Sequence, residues 1–384
     1  MRRASDAERE RLGQTFASLC RIDSASGRER RCADWVTAEL DGLGIGVEED
    51  GAGAEVGADA GNLLARVPGS GPHSFLICAH LDTVPATAPI EPVIVDGGWE
   101  NANEAILGAD NKAAVAVALE LVRRVISAPN PPEVGIELLF TVCEEVALRG
   151  AKAFDHTKLI SRFGYVFDHA SPIGEIVLAS PTYYRIVADV HGRAAHAGIR
   201  PEVGRSAIAA AARGIAAMRL GRLDPETTAN IGTISGGTNA NVVPEHCRIE
   251  AEARSLDRVR AEAVATEMID HLQEAADAGE CDLDVTVERM FEGYRTRPRE
   301  PQVALAERAL RVCGYEPTHI ATGGGSDANA LVAAGFPCTN LANGTERNHE
   351  PGERVSVDAL EGMLEVAIAL AEEAPAVVSE EARA

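Results

Sequence analysis

The sequence predicts an α/β protein: one domain built on a mixed, largely parallel sheet, with a smaller α+β domain of ferredoxin-like βαββαβ order inserted into it. Three observations predict it. Apolar strand-like runs alternate with helical stretches over 1–179 and again over 293–384, whereas 180–292 reads β-α-β-β-α-β. Three polar segments, His80 to Asp82, Glu144-Glu145 and Asp168, each end an apolar run. All three therefore fall at predicted C-terminal strand ends, the edge where open α/β sheets bind ligands.

Through the first half, the charged stretch Met1 to Leu19 reads as an amphipathic helix with Leu12, Phe16 and Leu19 on one face. A second helix, Arg30 to Leu40, stops at glycines 42, 44 and 46. Strands follow at Asn62 to Val67 and Ser74 to Ala79, the latter delivering His80-Leu81-Asp82. Residues two apart on an extended chain face one side, so Asp82 is placed to orient His80. Asp110 precedes an Ala/Val/Leu helix, Ala113 to Ile126, where an ordinary N-cap is the alternative reading. The run Ile136 to Phe140 ends at Glu144-Glu145, a short helix spans Leu148 to Phe154, and the strand Gly164 to Phe167 ends at Asp168.

The inserted domain is expected as strand Tyr183 to His191, helix Pro201 to Leu220, strands Thr228 to Ser235 and Cys247 to Ser255, helix Asp257 to Ala278 and strand Asp282 to Phe291. Beyond it come a helix at Pro301 to Val312, a strand at His319 to Thr322, and the glycine run Gly323-Gly324-Gly325, which opens onto a helix near Ala328. Converging amides at such a helix start suit an anion, and a plain tight turn is the other reading. A strand at Phe336 to Leu341, a polar loop holding His349, a helix from Val357 to Glu372 and a frayed tail complete the chain.

The formal net charge of −23 argues against nucleic acid or an anionic membrane as partner. The eight cysteines form no Cys-x-x-Cys pair and several lie in apolar runs, as reduced core thiols do. No secretory h-region or membrane-length run is present, which predicts a cytoplasmic protein.

The candidate chemistry lies in His80, Asp110, Glu145, Asp168 and His349, nitrogen and oxygen donors without thiolates. Such a shell suits zinc, with manganese or cobalt as alternatives, and five donors exceed one open catalytic site. Two ions sharing a carboxylate fit better. Glu144 is then free to act as general base on a water.

These segments resemble the co-catalytic di-zinc metallopeptidases, the family of peptidase T, carboxypeptidase G, aminoacylase and the ArgE/DapE deacylases. The likeness spans nearly the whole chain. It rests on His80-Leu81-Asp82-Thr83-Val84-Pro85, Gly108-Ala109-Asp110-Asn111-Lys112, Thr141-Val142-Cys143-Glu144-Glu145 and His191-Gly192-Arg193-Ala194-Ala195-His196-Ala197-Gly198. It implies a zinc-peptidase-like catalytic domain with an inserted lid and dimerisation domain. His80 and Asp168 would bind one zinc, Glu145 and His349 the other, with Asp110 bridging. Asp82 would orient His80, and Glu144 would be the acid/base.

The same resemblance implies a homodimer in which His196 reaches the partner's site to stabilise the oxyanion and Asn241 contacts substrate. The glycine run and the residues around His196 look most like the peptidase T branch, which implies removal of the N-terminal residue from a short peptide. Arg254 and the amides around Gly324 and Gly325 would hold the substrate carboxylate, with a structural arginine as the even alternative. Peptidase T proper carries an arginine immediately before the glycine pair ahead of its Thr-Asp. Thr322 and Gly323 stand in that neighbourhood here, and tripeptide selectivity is the property this touches. An amidohydrolase for N-acyl amino acids or a carboxypeptidase of the same family is the enzymatic alternative. A catalytically silent peptide- or metabolite-binding protein is the non-enzymatic one.

Overall fold

A computed structural model describes residues 3–381. The chain forms two compact units: one from its start to Leu178 with Thr296–Ala321 and the stretch from Ser326 onward, the other from Ala179–Arg295 with Thr322–Gly325. The glycine run thus packs with the inserted unit, not with the flanking 293–384 segment to which the sequence reading gave it.

At the middle of the first unit the strand Ser74–His80 runs parallel to Gly135–Thr141 on one side and to Gly164–His169 on the other. Cys338–Ala342 adds a further parallel neighbour beyond Gly164–His169. Parallelism stops at the flanks, where Leu63–Val67 joins Gly135–Thr141, and Glu175–Ser180 joins Cys338–Ala342, in antiparallel pairs. Gly135–Thr141 is buried along its whole length, and so is Ser74–His80 after its first residue. This is why both read as largely apolar runs, since strands covered on two faces have no polar side to alternate with; the one carboxylate among them, buried Glu137, is paired with Arg66 at 2.9 Å.

Helix Ala109–Ser127 is buried without interruption from Ala109 to Val122. Its Lys112 is fully buried and donates to the Ile22 carbonyl at 2.5 Å, while fully buried Glu120 accepts Arg11 at 2.5 Å. Neither charge enters the core without a partner, as desolvation demands. The N-terminal helix begins at Asp6, two residues after Ala4, which is packed into the core, because Ser5 caps it in a reciprocal box with Glu8. The expectation for Met1 itself lies outside the described residues.

Two features of this unit depart from expectation. Pro92–Val95 and Gly98–Asn101 form a hairpin across Asp96-Gly97, both with positive φ (47° and 75°), the two-residue turn that Asp-Gly favours. The C-terminal helix runs from Val357 to Glu381, past the expected stop at Glu372. The frayed tail expected beyond that falls partly in 382–384, outside the described residues.

In the second unit five strands pair antiparallel in the order Gly221–Asp224, Thr227–Gly236, His246–Ser255, Thr182–His191, Asp282–Phe291. Along His246–Ser255 every second residue from Cys247 is buried, the period-two pattern of a sheet covered on one face. Helices Ala207–Ala217 and Arg258–Ala278 provide the cover, with Ala210 and Ala211 packed into one cluster with Val190, Ile249 and Leu272. The helix expected over 201–220 is shorter, because Ser206 caps its start by accepting Ala209 N–H at 3.2 Å and Pro201–Val203 forms a separate 3-10 turn.

Candidate metal centre

Parallel pairing brings the ends of three strands to one edge of the sheet. His80 is the last residue of Ser74–His80 and pairs with Thr141, three residues before Glu144; Asp168 lies at the end of the neighbouring Gly164–His169. Asp110 enters from the kinked start of its helix, where φ −82° and ψ 103° at Asp110 are non-helical and its peptide bond to Asn111 is cis. His349 comes from the loop after Cys338–Ala342, with φ +68°.

Five side chains meet there in two groups. Donor atoms of His80, Asp110 and Asp168 lie within 4.8 Å of one another, and so do those of Asp110, Glu145 and His349. Asp110 belongs to both. Its Oδ1 is 3.2 Å from His80 Nε2, and its Oδ2 is 3.3 Å from His349 Nε2. His349 Nε2 is also 2.9 Å from Glu145 Oε1, and His80 Nε2 is 3.8 Å from Asp168 Oδ1. Glu144 belongs to neither group, with Oε2 3.9 Å from His80 Nε2.

Asp82 does more than the sequence reading gave it. His80 Nδ1 is closest to the Asp82 main-chain carbonyl, at 3.0 Å, with the Asp82 carboxylate 3.5 Å away. That carboxylate accepts the N–H groups of Glu144 and Glu145, at 3.0 and 3.2 Å, and the Ser26 hydroxyl at 2.6 Å. The paired acids are therefore held by their backbone. Glu29, buried, adds to this by accepting Cys143 N–H at 3.0 Å where Cys143 takes φ +55°.

Charge dominates the site. Burial pushes Glu144 well above the usual carboxyl range, with His80 opposing and Asp168, Asp327 and Glu145 adding to the rise. Burial raises Asp168 too, reinforced by Asp110. In Asp110 burial works upward but is outweighed by hydrogen bonds from His349 and His80, and its carboxyl stays low. Hydrogen bonds to Asp110 and Glu145 lift His349 to about 10. Four buried or half-buried carboxylates thus face two imidazoles, an excess of negative charge that divalent cations neutralise. The donors, all imidazole nitrogen and carboxylate oxygen, fit two such ions sharing Asp110.

Several residues that the sequence reading did not single out support the set. Asn111 Nδ2 donates to Asp168 Oδ1 at 3.2 Å, and Asn348 Nδ2 to Asp110 Oδ2 at 2.8 Å. Both flank a candidate ligand in sequence, which was the available signal.

The remaining candidates lie in the second unit. His196 is exposed on a two-residue strand paired with Val242, and Ala197 N–H donates to the Asn241 carbonyl at 2.9 Å. Arg254 stacks on Tyr183, 4.1 Å from the ring centroid, chelates Glu252 at 3.2 and 3.1 Å, and donates to the Gly323 carbonyl at 3.1 Å. Gly324 N–H is engaged by Thr322 Oγ1 at 3.1 Å. At Gly325 a Cβ would come 2.5 Å from the Phe291 ring, so only glycine fits.

Residues 62–172, which carry four of the five donors, match the model of peptidase family M28, and 182–280 match the peptidase dimerisation domain. Over 366 residues the chain is 36% identical to the protein YqjE of Bacillus subtilis, covering 95% of this chain and 98% of that one. The solved aminopeptidase PepT of Bacillus cereus is similar with a TM-score of 0.86 at 38% identity, covering 96% of this chain and 99% of that one. A solved tripeptidase of Staphylococcus aureus gives 0.89 at 33%, covering 95% and 99%.

Proposed function

This chain belongs to the M20 metallopeptidases, on the peptidase T branch, and from that membership we propose that it is a di-metal tripeptidase that removes the N-terminal residue of short peptides. The observation that carries the reading is the sharing of Asp110 between two donor groups while Glu144 stands outside both.

His80 and Asp168 would hold one ion, Glu145 and His349 the other, and Asp110 both. When bound, the ions supply Lewis acidity toward water and the scissile carbonyl; zinc suits these donors best, with manganese or cobalt as alternatives. Glu144 takes a proton from the attacking water onto its carboxylate and returns it to the leaving amine nitrogen. Its burial raises its affinity for the proton, which favours the first of these transfers. Asp82 fixes where that carboxylate starts from by holding the Glu144 amide.

The match of 182–280 to a dimerisation domain supports a homodimer formed through the second unit. We assign His196 and Asn241 to service of the partner subunit's site, His196 as a donor to the oxyanion. Arg254 and the amides around Gly324 and Gly325 are the proposed seat of the substrate carboxylate. The eight free cysteines support a reducing, cytoplasmic setting, and no described helix is long and apolar enough to cross a membrane.

The test is hydrolysis by metal-loaded protein of tripeptides, dipeptides and N-acetyl amino acids, read as free amino acid released. Tripeptides with a free N-terminus should turn over fastest. Faster turnover of N-acetyl amino acids would replace the tripeptidase reading with a deacylase.

A further inference from the structure

Glu353 lies four residues beyond His349, and its side chain is buried, 2% exposed. Both of its carboxylate oxygens are committed to main-chain donors of a distant segment. Oε2 accepts Leu107 N–H and Gly108 N–H, each at 2.8 Å, and Oε1 accepts Asp110 N–H at 3.0 Å. Gly108 has φ +74°, and the turn it makes directs these amides at one point. A carboxylate in such a concave cluster of amides takes the place of an anion in a backbone nest.

The consequence falls on Asp110. Its backbone is non-helical, so no helical carbonyl fixes the peptide from which its side chain leaves. Glu353 supplies that fixing contact, and it belongs to the same loop as His349. One buried carboxylate therefore ties the donor shared by both groups to the loop that carries a second donor.

We propose that Glu353 is a positioning residue of the metal centre: by clamping the Leu107–Asp110 backbone to the His349 loop it sets how tightly Asp110, Glu145 and His349 hold a divalent cation, without touching cation or substrate. The proposal rests on the di-metal reading of the site. Glutamine at this position offers one acceptor oxygen and one NH2 group, so a donor must face either Asp110 N–H or the Leu107 and Gly108 pair. Outer partners of this kind are worth about 10- to 100-fold in metal affinity. A contact that only stabilised the fold would lower thermal stability and leave metal affinity in the folded protein unchanged.

The test uses the full chain as wild type, E353Q and E353D, each stripped with chelator and titrated with Co2+ while the visible spectrum is followed. Wild type should bind two ions. E353Q should lose about 10- to 100-fold in one of the two binding steps, with a changed cobalt band. E353D, which keeps two acceptor oxygens, should recover part of the loss. A folded E353Q that titrates like wild type overturns the proposal. Failure of both variants to fold also overturns it, by making Glu353 a fold-holding residue. A wild type that binds no cobalt removes the di-metal reading itself, a result distinct from either.

Discussion

The Asp82 carboxylate accepts the main-chain N–H of Glu144 at 3.0 Å, so the proposed general base is positioned through its peptide and not only through its side chain. Burial opposes the charge on Asp82, but hydrogen bonds from His80, Ser26 and Glu144 outweigh it and keep the carboxyl low. Asp82→Asn keeps the shape, yet turns an NH2 group toward one of the amides it now accepts. The variant should lose about 10- to 100-fold in kcat with KM little changed. Steady-state kinetics on a tripeptide check this, and a kcat near the wild-type value would mean that the amides hold their places unaided.

Glu144→Gln addresses the proton transfers themselves. The side chain lies outside both donor groups, so its loss should leave two ions per chain while kcat falls by about 10²- to 10⁴-fold. Elemental analysis alongside kinetics separates the two effects. Loss of metal together with activity would make Glu144 a ligand instead of a base.

Stripping the metal should leave a protein whose stability falls as pH rises. Burial raises Glu144, Glu145 and Asp168, and lifts Asp327 to about 6; hydrogen bonds lift His349 to about 10. Each group with a raised folded-state value contributes stability that is present below its unfolded value and is lost as pH climbs through the folded one. Asp110 and Asp82 have lowered values and stay ionised throughout, so their contributions change only in strong acid. The window therefore opens at about pH 4, where the unfolded carboxyls ionise, and closes at about pH 10, and across it the Tm of chelator-treated protein should decline. Loaded protein should decline less, because the cations offset the same carboxylates. Parallel slopes for both forms would show that the cluster does not govern stability.

The candidate donors at strand ends, His80 and Asp168, were legible from strand chemistry, whereas Asp110 at a helix start and His349 in a loop were not. Runs such as Phe75 to Ala79 and Leu138 to Phe140 are apolar at every position, and the polar residues that follow them fall at the sheet edge. The supports were less legible, since each acts across a long sequence separation. Asp82 reaches Glu144 and Glu29 reaches Cys143, and nothing local to Asp82 or Glu29 marks a carboxylate that will accept another segment's amides. The Asp96-Gly97 hairpin is a different case, because its turn signal is local and strong. The over-long helix at 201–220 arose because an apolar pattern runs across Ser206, whose capping bond sets the true start.

Arg254 allows the substrate carboxylate to be tested directly. Its guanidinium is oriented by Glu252, Gly323 and the Tyr183 ring, a held arginine and not a free surface one. A guanidinium fixed in this way can add a carboxylate partner at little further entropic cost. For wild type, replacing the tripeptide's C-terminal carboxylate by an amide should raise KM by about tenfold or more, the scale of one charge-assisted contact. In Arg254→Ala, the free-acid peptide should show the same rise in KM, and amidation should add nothing further, because the two changes remove one interaction. The design matters because Arg254 also holds the Gly323 carbonyl, so a rise in KM alone could come from a displaced loop. Independent effects of the two changes would assign Arg254 to holding that loop and leave the carboxylate to another group.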